Sequence, residues 1–577
     1  MSNKYSIQSL AVLMAASMSM ALSSCIEETL PEDNTVTADQ VEGSESAVQS
    51  YVTGLYSAMV DYNTYYGSSS STSAQMCDWG IPGIMMQRES QGEDFPMYNN
   101  NYNYQYYAEC NAYIEYSSKF VYYFYYTLIN NANRILGSVS ADTDDSTLRH
   151  YRGIALTFRA MAYLDLARMF EWRTTEVADL EAIAQQLNCY NLTVPIVTET
   201  TTQEQGRNNP RAPYYEMYRF ILTDLNQAAS LLNDYSRTAK YDVDKSVVEA
   251  LQLALWKEIA TRAEDATALS QMLKAESDAS LSKYDALGIT EANDAWQQVK
   301  DLATTLTAQY TPLTSEEWHN VTTGFNTANH AWIWCCSVST QEQENSYWFT
   351  MPGELCCEPS WAMPRYGEAY RCISKQLFDQ IPVGDWRRTS WIDPDDAGVA
   401  ANSVKYDTQL GGSDWAKLPK YTNLKFRPGQ GDMSSYYNGL LVDMPLIRVE
   451  QIWFDLFEAV SHLDGEAEAA DQMQAFVNTY RYTDGSYTCD ASDFIAQLML
   501  QRRIEFWGEG VNYFDYKRLR RGVTRSYDGS KYSSTYRINS SDGYVAPWMN
   551  WYIPDDEYSY NNSIVKNPNP SDAVSTK

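Results

Sequence analysis

Apolar positions recur at intervals of three and four residues through much of the first half of the chain. Val121, Tyr125, Leu128, Ala132, Ile135 and Val139 fall on one helical face. Ile154, Phe158, Ala162, Leu166 and Met169 do the same, as do Met217, Ile221, Leu225, Ala228 and Leu232. Helices are also predicted over 44–60, 244–263 and 292–306. The spacing returns at Val449, Ile452, Leu456, Ala459 and Leu463, and again through Leu500, Ile504 and Trp507. Pairs of amphipathic helices joined by loops predict a mainly α, tetratricopeptide-like scaffold, although no consensus of about 34 residues repeats.

Two stretches break the period. Residues 62–107 are rich in Ser, Asn, Gly and Tyr and read as a long excursion, not a packed element. Excursions of that length inside a compact body usually carry function. From 310 to 443, Trp, Pro, Gly and Asp are scattered without helical spacing, which predicts a large irregular, loop-rich lobe. The expected organisation is a leader at 1–24, an acidic tether at 25–43, a helical scaffold at 44–309 that includes the excursion, the lobe at 310–443, and a segment at 444–577 whose helices and tail complete the scaffold.

The leader begins with Lys4 and an apolar run from Leu10 to Leu22. That run has the length of a signal-peptide core and is too short to span a bilayer. It ends in Leu22-Ser23-Ser24-Cys25, which resembles the lipobox cut by the lipoprotein signal peptidase. Cleavage before Cys25 and acylation of its thiol would produce an exported lipoprotein, since several acyl chains on one cysteine anchor durably.

Charge narrows the partners. The 577-residue chain carries a formal net charge of −31, which argues against nucleic acid and against adsorption to anionic lipid. The lipid on Cys25 is then the expected membrane link. Ten cysteines include the adjacent pairs Cys335-Cys336 and Cys356-Cys357. An exported chain can form disulfides, but their connectivity is open. With four His and no C-x-x-C spacing, no metal site is expected, and Asp393–Gly398 reads as a turn lacking the terminal Glu of a calcium loop. No nucleophile elbow, zinc-protease motif or phosphate loop occurs, so neither catalysis nor a cofactor is expected.

Aromatic content changes the picture most: 46 Tyr and 16 Trp exceed what core packing needs. Their rings cover the apolar faces of sugars, while Asn, Gln, Asp and Arg satisfy the hydroxyls. The candidate ligand contacts are Trp79, Arg88, Tyr102 and Tyr104 in the excursion and Trp348 and Trp361 in the lobe.

Four segments carry a family resemblance. They are Tyr151–Tyr163 with Leu166–Phe170; Pro445–Glu450 with Phe457–Ala459; Arg502–Gly510 with Phe514, Asp515, Lys517 and Arg518; and Ile553-Pro554 with Glu557 ahead of Asn567-Pro568. In that order they resemble motifs of the SusD/RagB family of outer-membrane nutrient-binding lipoproteins. Ile154, Thr157 and Trp172 depart from the family's usual Glu, Leu and Gly. The bottom-up reading of Arg152, Arg159, Arg168, Arg502, Arg503, Glu505, Glu509 and Asp515 is structural, as charged clamps between helices.

The resemblance implies a SusD-like fold and a cell-surface protein of the outer membrane. It implies a non-catalytic lid that captures oligosaccharide and passes it to a SusC-like TonB-dependent transporter. A RagB-like lid for peptides is the nearest alternative. A lipid-anchored glycoside hydrolase and an adhesin are further ones.

Overall fold

The computed structural model describes residues 45–60, 79–96, 117–339, 351–534 and 536–570. Cys25, Tyr102, Tyr104 and Trp348 lie outside them, as do the leader and tether. Helices of eight residues or more are numbered here in chain order. The first four are α1 Glu45–Ala58, α2 Gly80–Ser90, α3 Ser117–Ser138 and α4 Ser146–Phe170. Then come α5 Ala178–Leu187, α6 Tyr214–Leu231, α7 Lys245–Ala263, α8 Ala266–Glu276 and α9 Ala292–Thr307. The last four are α10 Val449–Leu463, α11 Glu466–Tyr480, α12 Phe494–Glu505 and α13 Asn512–Leu519.

The helices stack in near-sequential order. Helix α3 packs on α4, α4 on α6, α6 on α7, α7 on α9, α9 on α10, and α10 on α11. Each buries the apolar face read from its spacing: Val121, Tyr125, Leu128 and Ala132 of α3 are all fully buried, as are Phe158, Ala162 and Leu166 of α4. Local signals set the helix starts. Asp145 accepts the backbone N–H groups of Thr147 and Leu148 at the head of α4, and Asp244 accepts those of Ser246 and Val247 at the head of α7.

The irregular lobe is an insertion between two neighbours in this stack. After α9 the chain enters β1 (Trp332–Ser337), and it returns through β2 (Asp443–Arg448) directly into α10. The strands pair antiparallel, Trp332 opposite Arg448 and Ser337 opposite Asp443, so both ends of the insertion meet in one ribbon. Short helical turns fill the intervening chain.

The excursion requires a correction. Residues 80–90 form α2, and all eleven are buried. A helix covered on every side has no polar stripe, so it gives no amphipathic period. Gly80, Pro82 and Gly83 further disguise it. Gly80 sits at φ 51° where the chain turns tightly against the Met59 carbonyl, a position closed to a side chain.

Buried charge bolts lobe to scaffold. Glu505 at the end of α12 accepts from Arg387 at 2.9 Å, Arg448 at 3.2 Å and Arg481 at 2.8 Å, all four being fully buried. Burial would raise its pKa, but Arg481, Arg448 and Arg387 hold it well below the carboxylate range. Glu509 accepts from Arg448 at 2.8 Å and from the lobe's Lys425 at 2.6 Å. Nearby, Arg502 and Lys257 share Asp455 and Asp515. Arg503 pairs with Glu93 and Asp94, which follow α2.

The clamp reading of the early arginines holds for Arg159, which joins Asp224 of α6 at 2.7 Å and Glu199 at 2.6 Å. Arg152 behaves differently. It donates to the Leu136 and Val139 carbonyls at 3.0 and 2.9 Å, because the end of α3 leaves acceptors unpaired. Arg168 pairs with Asp165 of its own helix and lies 3.5 Å over the Phe514 ring.

The seven described cysteines are free, and both adjacent pairs are buried as thiols. Asp393 is engaged by Arg388, and Asp396 by Lys405 and Tyr406. Among the described residues no helix is long and apolar enough to cross a membrane.

Glu89 of α2 carries a pH-dependent prediction. Burial pushes its pKa up to about 7, although the backbone N–H groups of Gly508 and Gly510 favour the carboxylate. Unfolded, a Glu titrates near about 4.3. Between these values the folded state keeps a proton that the unfolded state releases, so this group's contribution to stability falls as pH rises. Glu89→Gln is expected to gain on the native chain by up to about 1 kcal/mol per pH unit across that window. Melting curves at pH 5 and pH 8 check it; an equal difference at both would refute the assignment.

Candidate functional site

A cavity of about 410 Å³ opens where α1, α4, β1 and the loop between α6 and α7 converge. Its size suits a small-molecule or oligomer subsite, for which roughly 300–1,000 Å³ is usual. Helix α1 turns Val48, Val52 and Leu55 inward, which leaves Gln49, Thr53 and Ser57 in a polar stripe along the cavity wall. Helix α4 supplies Tyr151 and Phe158, and β1 supplies Trp334.

The α6–α7 loop supplies the polar focus. Asp242 sits two residues before the Asp244 cap of α7, which fixes that end of the loop. One carboxylate oxygen accepts the Tyr56 hydroxyl and the Val243 N–H, the latter at 2.8 Å; the other accepts the Tyr235 hydroxyl. Burial first, and then the Asp242 carboxylate, raise the Tyr56 pKa well above normal. Burial and the hydrogen bond to Asp242 raise that of Tyr235. Both rings therefore present neutral hydroxyls.

The aromatic walls brace one another. Tyr56 meets Phe158 edge-on at 5.4 Å and Tyr241 at 5.8 Å, and Phe158 meets Trp334 at 5.6 Å. The Trp334 indole donates to the Tyr241 carbonyl at 3.1 Å, tying β1 to the loop. Tyr241 remains 44 % exposed, a large ring left at the mouth of an otherwise packed wall. Ring faces beside fixed polar groups suit a saccharide, whose C–H faces stack while its hydroxyls exchange hydrogen bonds.

The residues singled out from sequence fall elsewhere. Trp79 caps α2 and is 1 % exposed. Arg88 is buried, pairs with Asp165 at 3.1 Å and lies 4.5 Å over Phe514. Neither lines this cavity, although Arg88 lines a smaller one of about 120 Å³ together with Asp165, Arg168 and Phe514. Asp165 is also fixed by the Tyr125 hydroxyl at 2.6 Å; burial would raise its pKa, but Arg168 and Arg88 hold it below normal. Trp361 is half-buried on the lobe, its ring lying flush against Gly439, where a Cβ would collide. Beside Gly439, the rings of Tyr436 and Tyr437 lie 4.2 Å apart, Tyr437 being 52 % exposed. This forms a second aromatic surface.

The cavity residues Tyr56, Tyr151, Tyr235, Tyr241 and Asp242 were not anticipated. Their signal was present: two tyrosines and an acid within the short loop 235–242, between two strongly periodic helices.

Comparison with known proteins now bears on the fold. A SusD-like family, described as starch-binding and associating with the outer membrane, matches residues 82–253, and the SusD family matches residues 390–575. The first match falls on the helical scaffold before the lobe, and the second covers the later part of the lobe and the helices after it. The chain belongs to the SusD/RagB family.

Solved structures agree with this SusD/RagB fold. A SusD-like carbohydrate binding protein from Bacteroides vulgatus aligns over 90 % of this chain and 97 % of its own, at 19 % identity and a TM-score of 0.65. A SusD superfamily protein from Bacteroides thetaiotaomicron aligns over 91 % and 100 %, at 17 % identity and 0.60. A putative sugar binding protein from Bacteroides vulgatus aligns over 91 % and 98 %, at 18 % identity and 0.59. No curated protein sequence matches the chain. Most of the motif charges are the buried clamps described above, and the first motif also supplies Tyr151, Ile154 and Phe158 to the cavity.

Proposed function

We propose that this SusD/RagB protein is a surface lipoprotein, anchored to the outer membrane through Cys25, that captures oligosaccharide and delivers it to a SusC-like TonB-dependent transporter without altering it. The observation that carries the glycan part is the braced aromatic cavity, with the Asp242 carboxylate oriented by two tyrosine hydroxyls and the Tyr241 ring at its mouth. Family membership supports delivery to a transporter and the membrane location. Trp361 and Tyr437 supply a second surface on which a longer chain can rest.

Calorimetry of the full chain against a glycan panel, beside mixed peptides, tests the reading. A glycan is expected to bind. Tyr241→Ala should then weaken it by on the order of ten-fold, the equivalent of one lost ring stack, with the melting temperature unchanged. Tight peptide binding with no glycan signal would sink the proposal in favour of a RagB-like lid. Steady release of reducing ends from a polysaccharide would establish a hydrolase instead.

A further inference from the structure

We infer that the cavity at Tyr56 and Tyr241 takes uncharged saccharides and turns away glycans that carry uronate or sulfate. The inference rests on the glycan reading above and adds the chemical class of the ligand.

Recognition of an acidic sugar needs a cation or a cluster of unspent N–H donors within reach of its carboxylate or sulfate. Among the described residues, the cavity wall has no Lys, Arg or His. Among the described lining residues the charged group is the Asp242 carboxylate; the other polar side chains are hydroxyls, the Gln49 amide, the Cys335 and Cys336 thiols and the Trp334 indole, whose N–H is spent on the Tyr241 carbonyl. Both Asp242 oxygens already accept hydroxyls, so the group orients the tyrosines and leaves an acceptor-rich surface facing the ligand.

Three of the basic side chains near the wall pair with acids, and a fourth lies over a ring. Arg237 pairs with Asp244 at 2.9 Å and donates to the Asp242 carbonyl at 3.1 Å. His150 and Arg149 both pair with Asp234. The Lys240 ammonium lies 4.6 Å over the Tyr310 ring.

The cavity presents the Asp242 carboxylate on a molecule of net charge −31. An anionic ligand meets repulsion there over roughly the 8–10 Å that salt leaves unscreened. A neutral sugar loses nothing to that field.

The test sets neutral probes (gluco-, xylo-, manno- and galacto-oligosaccharides) against acidic ones (oligogalacturonate, alginate oligomers and chondroitin sulfate). Titrations use the full chain and the variant Ser57→Lys, at 20 mM and 150 mM salt. Ser57 is exposed on α1 and lines the cavity, so the substitution places an ammonium there without disturbing the core. At least one neutral probe should bind the native chain, with every acidic probe at least ten-fold weaker. Ser57→Lys should narrow that gap, more at 20 mM than at 150 mM salt. An acidic probe binding the native chain as tightly as the best neutral one would overturn the inference and leave the glycan reading standing. Silence from every glycan would overturn both.

Discussion

Glu505→Gln is expected to destabilise the protein by about 3–5 kcal/mol, the range for removing one partner of a buried ionic cluster. The side chain faces Arg387, Arg448 and Arg481 at 2.8–3.2 Å with no exposure to water. An amide oxygen can accept from one of them, and the others keep their charge without an anion. The surface pair of Lys300 with Asp464 provides the control, since both side chains are partly exposed. Lys300→Gln should cost less than about 1 kcal/mol. Denaturant titration separates the two. The pH dependence adds a second check. Because Glu505 titrates below the unfolded value in the native chain, its stabilisation is present above about pH 4.3 and fades as pH falls. The variant should lose that acid sensitivity.

Gly510→Ala is the second large effect. Gly510 has φ 67°, and a Cβ there would lie 2.7 Å from the Met85 Cα and collide with the Met85 carbonyl. Left-handed backbone costs an alanine roughly 1–2 kcal/mol, and overpacking against a backbone adds about 1–3. The Gly510 N–H also donates to Glu89 at 2.9 Å, so displacing α2 strains a buried acid. The damage should reach the candidate cavity. The Ile81 N–H donates to the Met59 carbonyl at 2.9 Å, and Met59 lines the cavity. Lower thermal stability together with weaker ligand binding is the expected result. Gly54→Ala on α1 meets nothing within 4 Å and should leave both intact or raise stability by about 0.5–1 kcal/mol.

The scaffold was legible because α3, α6 and α9 each keep exposed residues along one face, and a wet face prints a period, while α4 and α7, with little or no exposure along most of their length, were legible through their length and apolar density. Helix α2 is buried on all sides and printed none. Charged clamps such as Arg159 and Glu505 were legible through the motifs that contain them. Their partners were not, since Arg387 is 118 positions from Glu505 and Lys425 is 84 from Glu509. For the candidate cavity, aromatic abundance pointed to a residue type found there but at different positions. Trp79 is core, whereas Tyr56 and Tyr241 become neighbours only when α1 packs beside the α6–α7 loop. Adjacency of that kind is a property of the stack and leaves no local mark.

The paired strands β1 and β2 turn the chain between them, 338–442, into an exchangeable cassette. Both of its ends emerge from one ribbon between α9 and α10, so the helical stack closes behind it whatever its length or course. Two sockets on the stack, Glu505 and Glu509, nevertheless require a cation from the cassette, here Arg387 and Lys425. A cassette lacking both cations would leave Glu505 to Arg448 and Arg481 and Glu509 to Arg448, one buried charge partner short in each case. Ligand preference can therefore diversify freely along the loops while two residues within them stay bound to the demands of the core.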